Sequence, residues 1–207
     1  MISKRPPLSR AAAAPRRGAP SHGEVRIIGG LWKRTLLPVA NIDGLRPTPN
    51  RVRETLFNWL GQDLTGLACV DAFAGTGALG FEAASRGATS VLAYEQDAAL
   101  CRTLLGLRTK LSANNIKIVQ GDAIAQMSRL ASASVDVVFL DPPFGSDLFV
   151  PALKAAARIT KLGGFVYLES DRAWTNEELA PLDLTVTRQG KAGMVCYHLL
   201  EKQSTQG

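Results

Sequence analysis

The stretch ACVDAFAGTGALG, residues 68–80, joins a short apolar segment to a glycine turn and then to a helix-forming pattern. Gly75, Gly77 and Gly80 have the spacing of a dinucleotide-binding fingerprint, with Glu95 following at the expected distance. In such a unit the glycines let the backbone approach a ligand closely, and free N–H groups at the helix start favour an anion. The stretch therefore predicts an α/β fold that binds a nucleotide-like ligand at a strand end.

Two classes of ligand fit this unit, and its carboxylates bear on the choice. Nicotinamide or flavin nucleotides and S-adenosylmethionine all carry a ribose whose hydroxyls Glu95 could bind. Asp71 lies at the strand end ahead of the glycines, where it suits an ammonium and a sulfonium but would repel two phosphates. Asp122 follows a later strand pattern and could accept from an adenine amino group while also capping a helix. These carboxylates favour S-adenosylmethionine, with a nicotinamide oxidoreductase as the open alternative.

The motif Asp141-Pro142-Pro143-Phe144 follows the apolar run at 135–140, which is typical of a buried strand. At a strand's carboxyl end it would present a carboxylate, a proline carbonyl and an aromatic face. Two acceptors can take both hydrogens of an NH2 group on a planar ring while an aromatic side chain stacks on that ring. The motif predicts chemistry on an exocyclic amine. The alternative is a proline turn in which Asp141 caps a helix and Phe144 belongs to the core.

Strand and helix patterns alternate along the middle of the chain, which predicts a mostly parallel sheet with helices on both faces. After the strand within 68–80, the predicted segments are helix 79–86, strand 90–95, helix 98–112, strand 116–120, helix 123–131, strand 135–140, helix 148–159 and strand 165–169. Strands at 184–189 and 195–200 predict a closing antiparallel hairpin. Nearer the N-terminus we predict a hairpin over 25–38 and a helix over 51–60, with Thr48 or Asn50 as its N-cap.

Taken together, these motifs resemble the S-adenosylmethionine-dependent methyltransferases of class I, in the branch that methylates amino nitrogens. The resemblance implies a Rossmann-like, mostly parallel seven-stranded sheet with a C-terminal antiparallel hairpin, preceded by an N-terminal β-hairpin and helix. It implies a set of cofactor-binding residues: Asp71, Phe73, Gly75, Gly77, Glu95, Gln96, Asp122 and Ala123. It also implies a catalytic set: Asp141, Pro142, Pro143 and Phe144.

Three segments near the N-terminus narrow this resemblance to a smaller group of methyltransferases. Segments 26–30, 45–48 and 51–60 resemble bacterial methyltransferases that modify N2 of one guanine in small-subunit ribosomal RNA, and the similarity runs from about residue 24 to residue 201. The implied partner is 16S ribosomal RNA in an assembled or assembling 30S particle. The amino-methyltransferase motif alone is shared with enzymes acting on adenine in DNA or RNA, so N6-adenine methylation is the alternative.

The chain departs from the family pattern in two places that concern RNA contacts. Members commonly have Arg-Gly-Arg after the Gly-Gly turn, whereas this chain has Trp32-Lys33-Arg34-Thr35. Gly145 follows Phe144 where a basic residue is frequent.

Positive charge is concentrated in the N-terminal quarter. The chain carries a net charge of +6; residues 1–23 hold five basic and no acidic side chains, and residues 24–53 hold six basic and two acidic ones, which leaves −3 for the remainder. The proline-rich segment 1–23 predicts a disordered basic tail, either an RNA-binding arm or an unconstrained solvated segment. In the rest of this quarter the predicted RNA-binding residues are Lys33, Arg34, Arg46, Arg51 and Arg53.

Composition predicts one globular domain. Hydrophobic residues make up 46% and charged residues 20%, and no apolar run approaches the roughly 18 residues of a membrane span. Three cysteines and two histidines lack the spacing of a zinc site. We expect a cytoplasmic monomer that binds no metal and no membrane. Its single domain, residues 24–207, comprises an RNA-recognition extension at 24–62 and a catalytic core at 63–202. A catalytically silent RNA-binding module is a further hypothesis.

Overall fold

The computed structural model describes residues 25–38 and 48–204, which form two sheets and flanking helices. The strands are β1 Val25–Arg26, β2 Leu36–Leu37, β3 Ala68–Asp71, β4 Ser90–Glu95, β5 Ile116–Gln120, β6 Val135–Leu140, β7 Thr160–Ser170, β8 Leu184–Ala192 and β9 Val195–Lys202. The helices are α1 Asn50–Trp59, α2 Ala78–Ser85, α3 Ala98–Lys110, α4 Ala123–Ser128, α5 Phe149–Ile159 and α6 Asn176–Leu179, which runs into a 3₁₀ turn at Ala180–Leu182.

The large sheet has seven strands in the order β5-β4-β3-β6-β7-β9-β8, and β1 pairs with β2 in a separate hairpin. Strands β5, β4, β3, β6 and β7 are parallel, whereas β9 is antiparallel to both β7 and β8. The direction of strand succession reverses at β3, which lies between β4 and β6. Ligands of open α/β sheets bind at the carboxyl ends of strands beside such a reversal. The predicted fold, including both hairpins, is confirmed.

The sheet is packed on both faces. Side chains from α1, α2 and α3 form one hydrophobic cluster with Phe139 and Tyr167, and side chains from α4, α5 and α6 form a second with Val138 and Leu168. Successive residues of β6 and β7 thus point to opposite faces, as the twofold period of a strand requires. Phe57 of α1 lies 6.0 Å from Phe139 between ring centroids, so α1 covers the first face.

A buried carboxylate on α2 anchors the N-terminal segment to the rest of the protein. Glu82 accepts hydrogen bonds from the backbone N–H groups of Ile28 and Gly29, each at 2.7 Å. It also pairs with Arg53 at 3.3 Å and Arg86 at 2.8 Å. Two backbone donors and two guanidinium groups thus balance a fully buried charge, and they tie the β1–β2 hairpin and α1 to α2.

The prediction that Arg53 faces solvent or RNA is wrong. Its side chain is fully buried, and besides Glu82 it donates to the Arg26 carbonyl and to Asn50 Oδ1, both at 2.7 Å. The periodicity of α1 placed Arg53 off the apolar face, but its partner Glu82 lies 29 residues away in sequence, where helix periodicity gives no information.

Several boundaries differ from the predicted ones. Helix α1 has Pro49 at its N-cap with no side-chain cap, because Thr48 bonds Glu169 and Asn50 bonds Arg53 instead. Strand β7 begins five residues earlier than predicted. Strands β8 and β9 are longer than predicted, so that only Gly193 and Met194 lie between them in the chain. The short helix α6 was not predicted. It carries a capping box between Thr175 and Glu178.

Some predictions fall on residues that lie outside the described ranges. These are the basic tail at 1–23 and the RNA contact at Arg46. Within 25–38 and 48–204, no helix is long and apolar enough to cross a membrane. In the same ranges no cluster of three or more His, Cys, Asp or Glu side chains is suited to a metal ion.

Candidate active site

The predicted carboxylates gather at one edge of the large sheet. Asp71 ends β3, Glu95 ends β4, and Asp141 directly follows β6. Asp122 comes two residues after β5, at the outer end of the same edge. Because β3, β4, β5 and β6 are parallel neighbours, their carboxyl ends share this edge, with Asp71 and Asp141 on the two strands beside the reversal.

Asp71 stabilises the glycine turn between β3 and α2 through a hydrogen bond to the start of α2. Gly75 and Gly77 have φ angles of 52° and 76°, in the left-handed region that disfavours side chains. The Gly80 N–H donates to Asp71 Oδ2 at 2.8 Å, and a Cβ on Gly80 would lie 2.8 Å from that same oxygen. Asp71 is therefore part of the turn's scaffold, a role that its sequence position did not reveal.

Burial dominates the electrostatics of Asp71. The side chain is almost fully enclosed, and burial raises its pKa to about 7, with the Gly80 hydrogen bond opposing this shift and the charge of Glu95 adding to it. A carboxylate with such a pKa is readily held in its ionised form by a nearby cation. Contact between Asp71 and an ammonium or a sulfonium stays a prediction.

Glu95 is placed to bind a polar ligand beside the glycine turn. Its Oε2 accepts the Gly75 N–H and its Oε1 accepts the Asp97 N–H, each at 2.8 Å. The side chain is half-buried, and each oxygen retains a further lone pair. Gln96 next to it is exposed. Two hydroxyl donors on one ligand could therefore bond the same carboxylate that orders the turn.

The remaining predicted cofactor residues have mixed surroundings. Asp122 is exposed and caps α4 by accepting the Ala125 N–H at 2.7 Å, so its predicted capping role is confirmed. Ala123 is buried, whereas Phe73 is half-buried against the second hydrophobic cluster. Acceptance by Asp122 from an adenine amino group stays a prediction.

The motif after β6 forms an open turn whose aromatic side chain faces outward. The Pro143 carbonyl accepts from Ser146 twice, from the backbone N–H at 3.3 Å and from Oγ at 2.6 Å. Phe144 is 45% exposed, and α5 begins at Phe149 with Leu148 as its N-cap. Phe144 is thus not a core residue and Asp141 caps no helix, so both parts of the structural alternative are wrong.

Asp141 is half-buried in a negatively charged environment. Burial raises its pKa well above the ordinary range, and the neighbouring charges of Glu169 and Asp71 raise it further. Sequence reasoning missed Glu169, which is 3% exposed at the end of β7 and accepts from Thr48 Oγ1 at 2.7 Å and Tyr167 OH at 2.9 Å. Its signal was its place at the carboxyl end of a predicted strand, the position that singled out the other carboxylates.

The predicted RNA-binding residues do not form one cluster. Arg51 is exposed on the first turn of α1, two residues from Pro49. Lys33 and Arg34 are also exposed, but their turn is tied to Ser85 by backbone bonds from Leu31 and Trp32. Ser85 ends α2, about 12 Å along the helix from the glycine turn at a rise of about 1.5 Å per residue. Lys33 and Arg34 therefore lie away from the carboxylate edge.

Comparison with known proteins gives concordant matches. The profile of the family described as "Conserved hypothetical protein 95" matches residues 25–201. A curated relative from Escherichia coli K12, named ribosomal RNA small subunit methyltransferase D, is 36% identical over 190 residues, covering 89% of this chain and 95% of the relative. The protein of the same name from Haemophilus influenzae is 38% identical over 184 residues, covering 86% and 94%. A solved structure of Escherichia coli yhhF, described as a candidate methyltransferase, superposes with a TM-score of 0.76 at 36% identity, covering 88% of this chain and all of that one.

Proposed function

The chain belongs to the family of the small-subunit ribosomal RNA methyltransferases D, and from that premise we propose that it methylates the exocyclic N2 of a guanine in small-subunit ribosomal RNA. The methyl donor in this proposal is S-adenosylmethionine. The observation that carries the proposal is the outward-facing Phe144 beside Asp141, since a planar base with an amino group fits a stacking face next to an acceptor.

The residues around the glycine turn suit S-adenosylmethionine by their chemistry. Glu95 offers two acceptor oxygens to ribose hydroxyls, and Asp122 offers an exposed carboxylate to the adenine amino group. Asp71 and Asp141 supply negative charge for a cationic ligand, whereas a pyrophosphate would be repelled. When bound, the cofactor supplies an electrophilic methyl group attached to a sulfonium.

The protein's part in the chemistry is to orient the amine and to take up its proton. The lone pair of a guanine N2 is delocalised into the ring, which makes the nitrogen a poor nucleophile. Asp141 and the Pro142 carbonyl can accept the two amino hydrogens and favour a tetrahedral nitrogen whose lone pair points at the methyl carbon. Holding the reactants in line contributes much of the remaining rate enhancement. Asp141 is the acceptor placed to receive the proton that the nitrogen loses.

The target base has to leave its stack to reach this turn. Unstacking costs a few kcal/mol, and stacking on Phe144 together with phosphate contacts would offset that cost. Arg51 is the predicted phosphate ligand nearest the site in sequence, while Lys33 and Arg34 would contact RNA farther from the reacting base. The basic tail at 1–23 adds five positive charges for a polyanion.

The wider biological setting follows from the substrate. Residues 24–62 act as an RNA-recognition extension of a catalytic core at 63–202, and the substrate is an assembled or assembling 30S particle. We propose that the protein meets ribosomal RNA in the cytoplasm and acts as a monomer.

Methyl transfer to candidate substrates tests the proposal. Purified protein is incubated with methyl-labelled S-adenosylmethionine and either 30S particles or naked 16S RNA from a strain lacking the corresponding gene. Label in N2-methylguanosine supports the proposal, whereas label in N6-methyladenosine supports the alternative base. Binding of NAD with no binding of S-adenosylhomocysteine would point instead to an oxidoreductase, and RNA binding without transfer to a silent RNA-binding module.

A further inference from the structure

Glu169 occupies a place beside Asp141 that the sheet register fixes. Leu140 of β6 pairs with Leu168 of β7, so the next residues, Asp141 and Glu169, lie side by side at the sheet edge. Phe139 and Tyr167, two positions earlier, have ring centroids 6.5 Å apart on the face that α1 covers. Because side chains alternate along a strand, Asp141 and Glu169 point to that same face. Neighbouring strands are about 4.8 Å apart, and the charge of Glu169 raises the pKa of Asp141.

The two carboxylates differ in their hydrogen bonds. Glu169 Oε1 accepts from Thr48 and from Tyr167, and these two bonds lower a pKa that burial raises. Within 25–38 and 48–204, no hydrogen-bond donor contacts the Asp141 side chain. Donors to a carboxylate favour its ionised form. The negative charge of the pair therefore resides first on Glu169, which makes Asp141 the more basic partner.

Other ionisable groups around the pair also favour Asp141 as the more basic of the two carboxylates. Asp71 on β3 adds a second negative charge near Asp141. Tyr167 donates to Glu169, and its own pKa is raised well above the usual value, first by burial and then by Glu169. On β9 Tyr197 lies opposite Glu169 in the register and also raises the pKa of Tyr167. None of these groups is a cation that would neutralise Asp141.

We propose that Glu169, fixed by Thr48 and Tyr167, is a positioning residue whose buried charge makes Asp141 a strong enough base to take the proton of the methylated amine. This inference rests on the proposed function. In the reaction the nitrogen lone pair forms the N–CH3 bond while the S–CH3 bond breaks and sulfur keeps the bonding pair. The nitrogen then loses one proton, which Asp141 accepts and passes to solvent.

The role of Thr48 extends the proposal to the N-terminal segment. Thr48 immediately precedes α1 and is 121 residues from Glu169 in sequence, yet their side chains form a buried hydrogen bond. The same segment is tied to α2 through Arg53 and Glu82. Placement of α1 thus determines whether Glu169 has its second donor, which links the proposed RNA-recognition extension to the basicity of Asp141.

The pH dependence of methyl transfer tests this role. Glu169→Gln keeps the shape and an acceptor oxygen for both donors but removes the charge. We expect the acidic limb of the rate profile, which reports ionisation of Asp141, to move down by about one to two pH units, with a several-fold lower maximal rate. Thr48→Val should move the limb in the same direction by less, because Glu169 then loses one donor. Glu201→Gln is the matched control, since it removes a carboxylate from β9 opposite Phe165, which lies four residues before Glu169 on β7.

A spectroscopic titration reads the same quantity without turnover. Asp141 carboxyl carbon shifts are followed by NMR in protein labelled at aspartate carboxyl carbons, with Asp141→Asn to assign the signal. A lower titration midpoint in Glu169→Gln supports the proposal. An unchanged midpoint in a Glu169→Gln protein that still binds S-adenosylhomocysteine would overturn it. Absence of methyl transfer by the wild-type protein would count against the proposed function instead, and the titration would still decide the role of Glu169.

Discussion

Arg53 and Arg51 lie two residues apart on α1, and replacing each by alanine should affect different properties of the protein. Arg53 is fully buried and makes three polar contacts, with Glu82 at 3.3 Å and with Arg26 and Asn50 at 2.7 Å. Arg51 is exposed. We expect Arg53→Ala to destabilise the fold without a specific effect on RNA. Arg51→Ala should weaken RNA binding and leave the fold intact.

The expected loss of stability in Arg53→Ala follows from the buried ion pair between Arg53 and Glu82. Removing one partner of a buried ion pair costs about 3–5 kcal/mol, because the other charge stays buried. Glu82 keeps Arg86 and two backbone donors, which places the expected loss in the free energy of unfolding toward the lower end. In a protein of this size, each kcal/mol lowers the melting temperature by about 2–4 °C, so the expected decrease is roughly 6–12 °C. An exposed substitution such as Arg51→Ala should change stability by at most about 0.5 kcal/mol.

Two assays separate the variants. Thermal and urea denaturation measure stability, and the slope of log affinity against log salt measures phosphate contacts. Losing one contact reduces that slope by roughly 0.7 on single-stranded RNA. An Arg53→Ala protein with wild-type stability and a reduced salt slope would contradict the structural role of Arg53. Arg53→Met should lose less stability than Arg53→Ala, because it retains most of the packing volume.

Three further predictions concern the carboxylate edge. Asp141→Asn should abolish turnover and leave S-adenosylhomocysteine affinity within a few-fold, because the amide can present a donor where an acceptor is needed; calorimetry with single-turnover kinetics checks this, and normal turnover would eliminate the proposed mechanism. Glu95→Ala should weaken S-adenosylmethionine binding by about 1–3 kcal/mol through lost bonds to a charged group, and unchanged affinity in calorimetry would place the ribose elsewhere. Affinity for S-adenosylmethionine should rise as pH increases through about 7, because a cationic ligand favours ionised Asp71, whose pKa lies near that value. Calorimetry in buffers of different ionisation enthalpy should detect the release of a proton on binding. A pH-independent affinity would contradict contact between Asp71 and the cationic ligand.

The fold and the location of the site could be predicted from sequence because both depend on local patterns. Alternating strand and helix segments led to the doubly wound sheet, and residues at or just after the ends of predicted strands led to Asp71, Glu95, Asp122 and Asp141. In parallel strands such residues meet at one edge, whatever the distances between them in sequence. The glycine turn and the two-proline turn carry their backbone requirements in their own residues.

Features that depend on contacts between distant segments could not be predicted. The burial of Arg53 arises from Glu82 on another helix, and the importance of Glu169 arises from Thr48 and from its sheet neighbour Asp141. The position of Lys33 and Arg34 depends on how the β1–β2 hairpin docks on Ser85. A periodic pattern shows which face of an element is apolar, but not which buried partner a charged side chain will meet.

Nucleoside analysis of ribosomal RNA shows directly which base the protein methylates. Small-subunit RNA is digested to nucleosides from a strain lacking this gene, from the same strain carrying the wild-type gene, and from one carrying Asp141→Asn, and methylated nucleosides are measured by mass spectrometry. If the protein methylates guanine N2, the deletion strain should lose one equivalent of N2-methylguanosine per small subunit, which the wild-type gene restores and Asp141→Asn does not. An unchanged N2-methylguanosine content in the deletion strain, or loss of N6-methyladenosine instead, would contradict this activity.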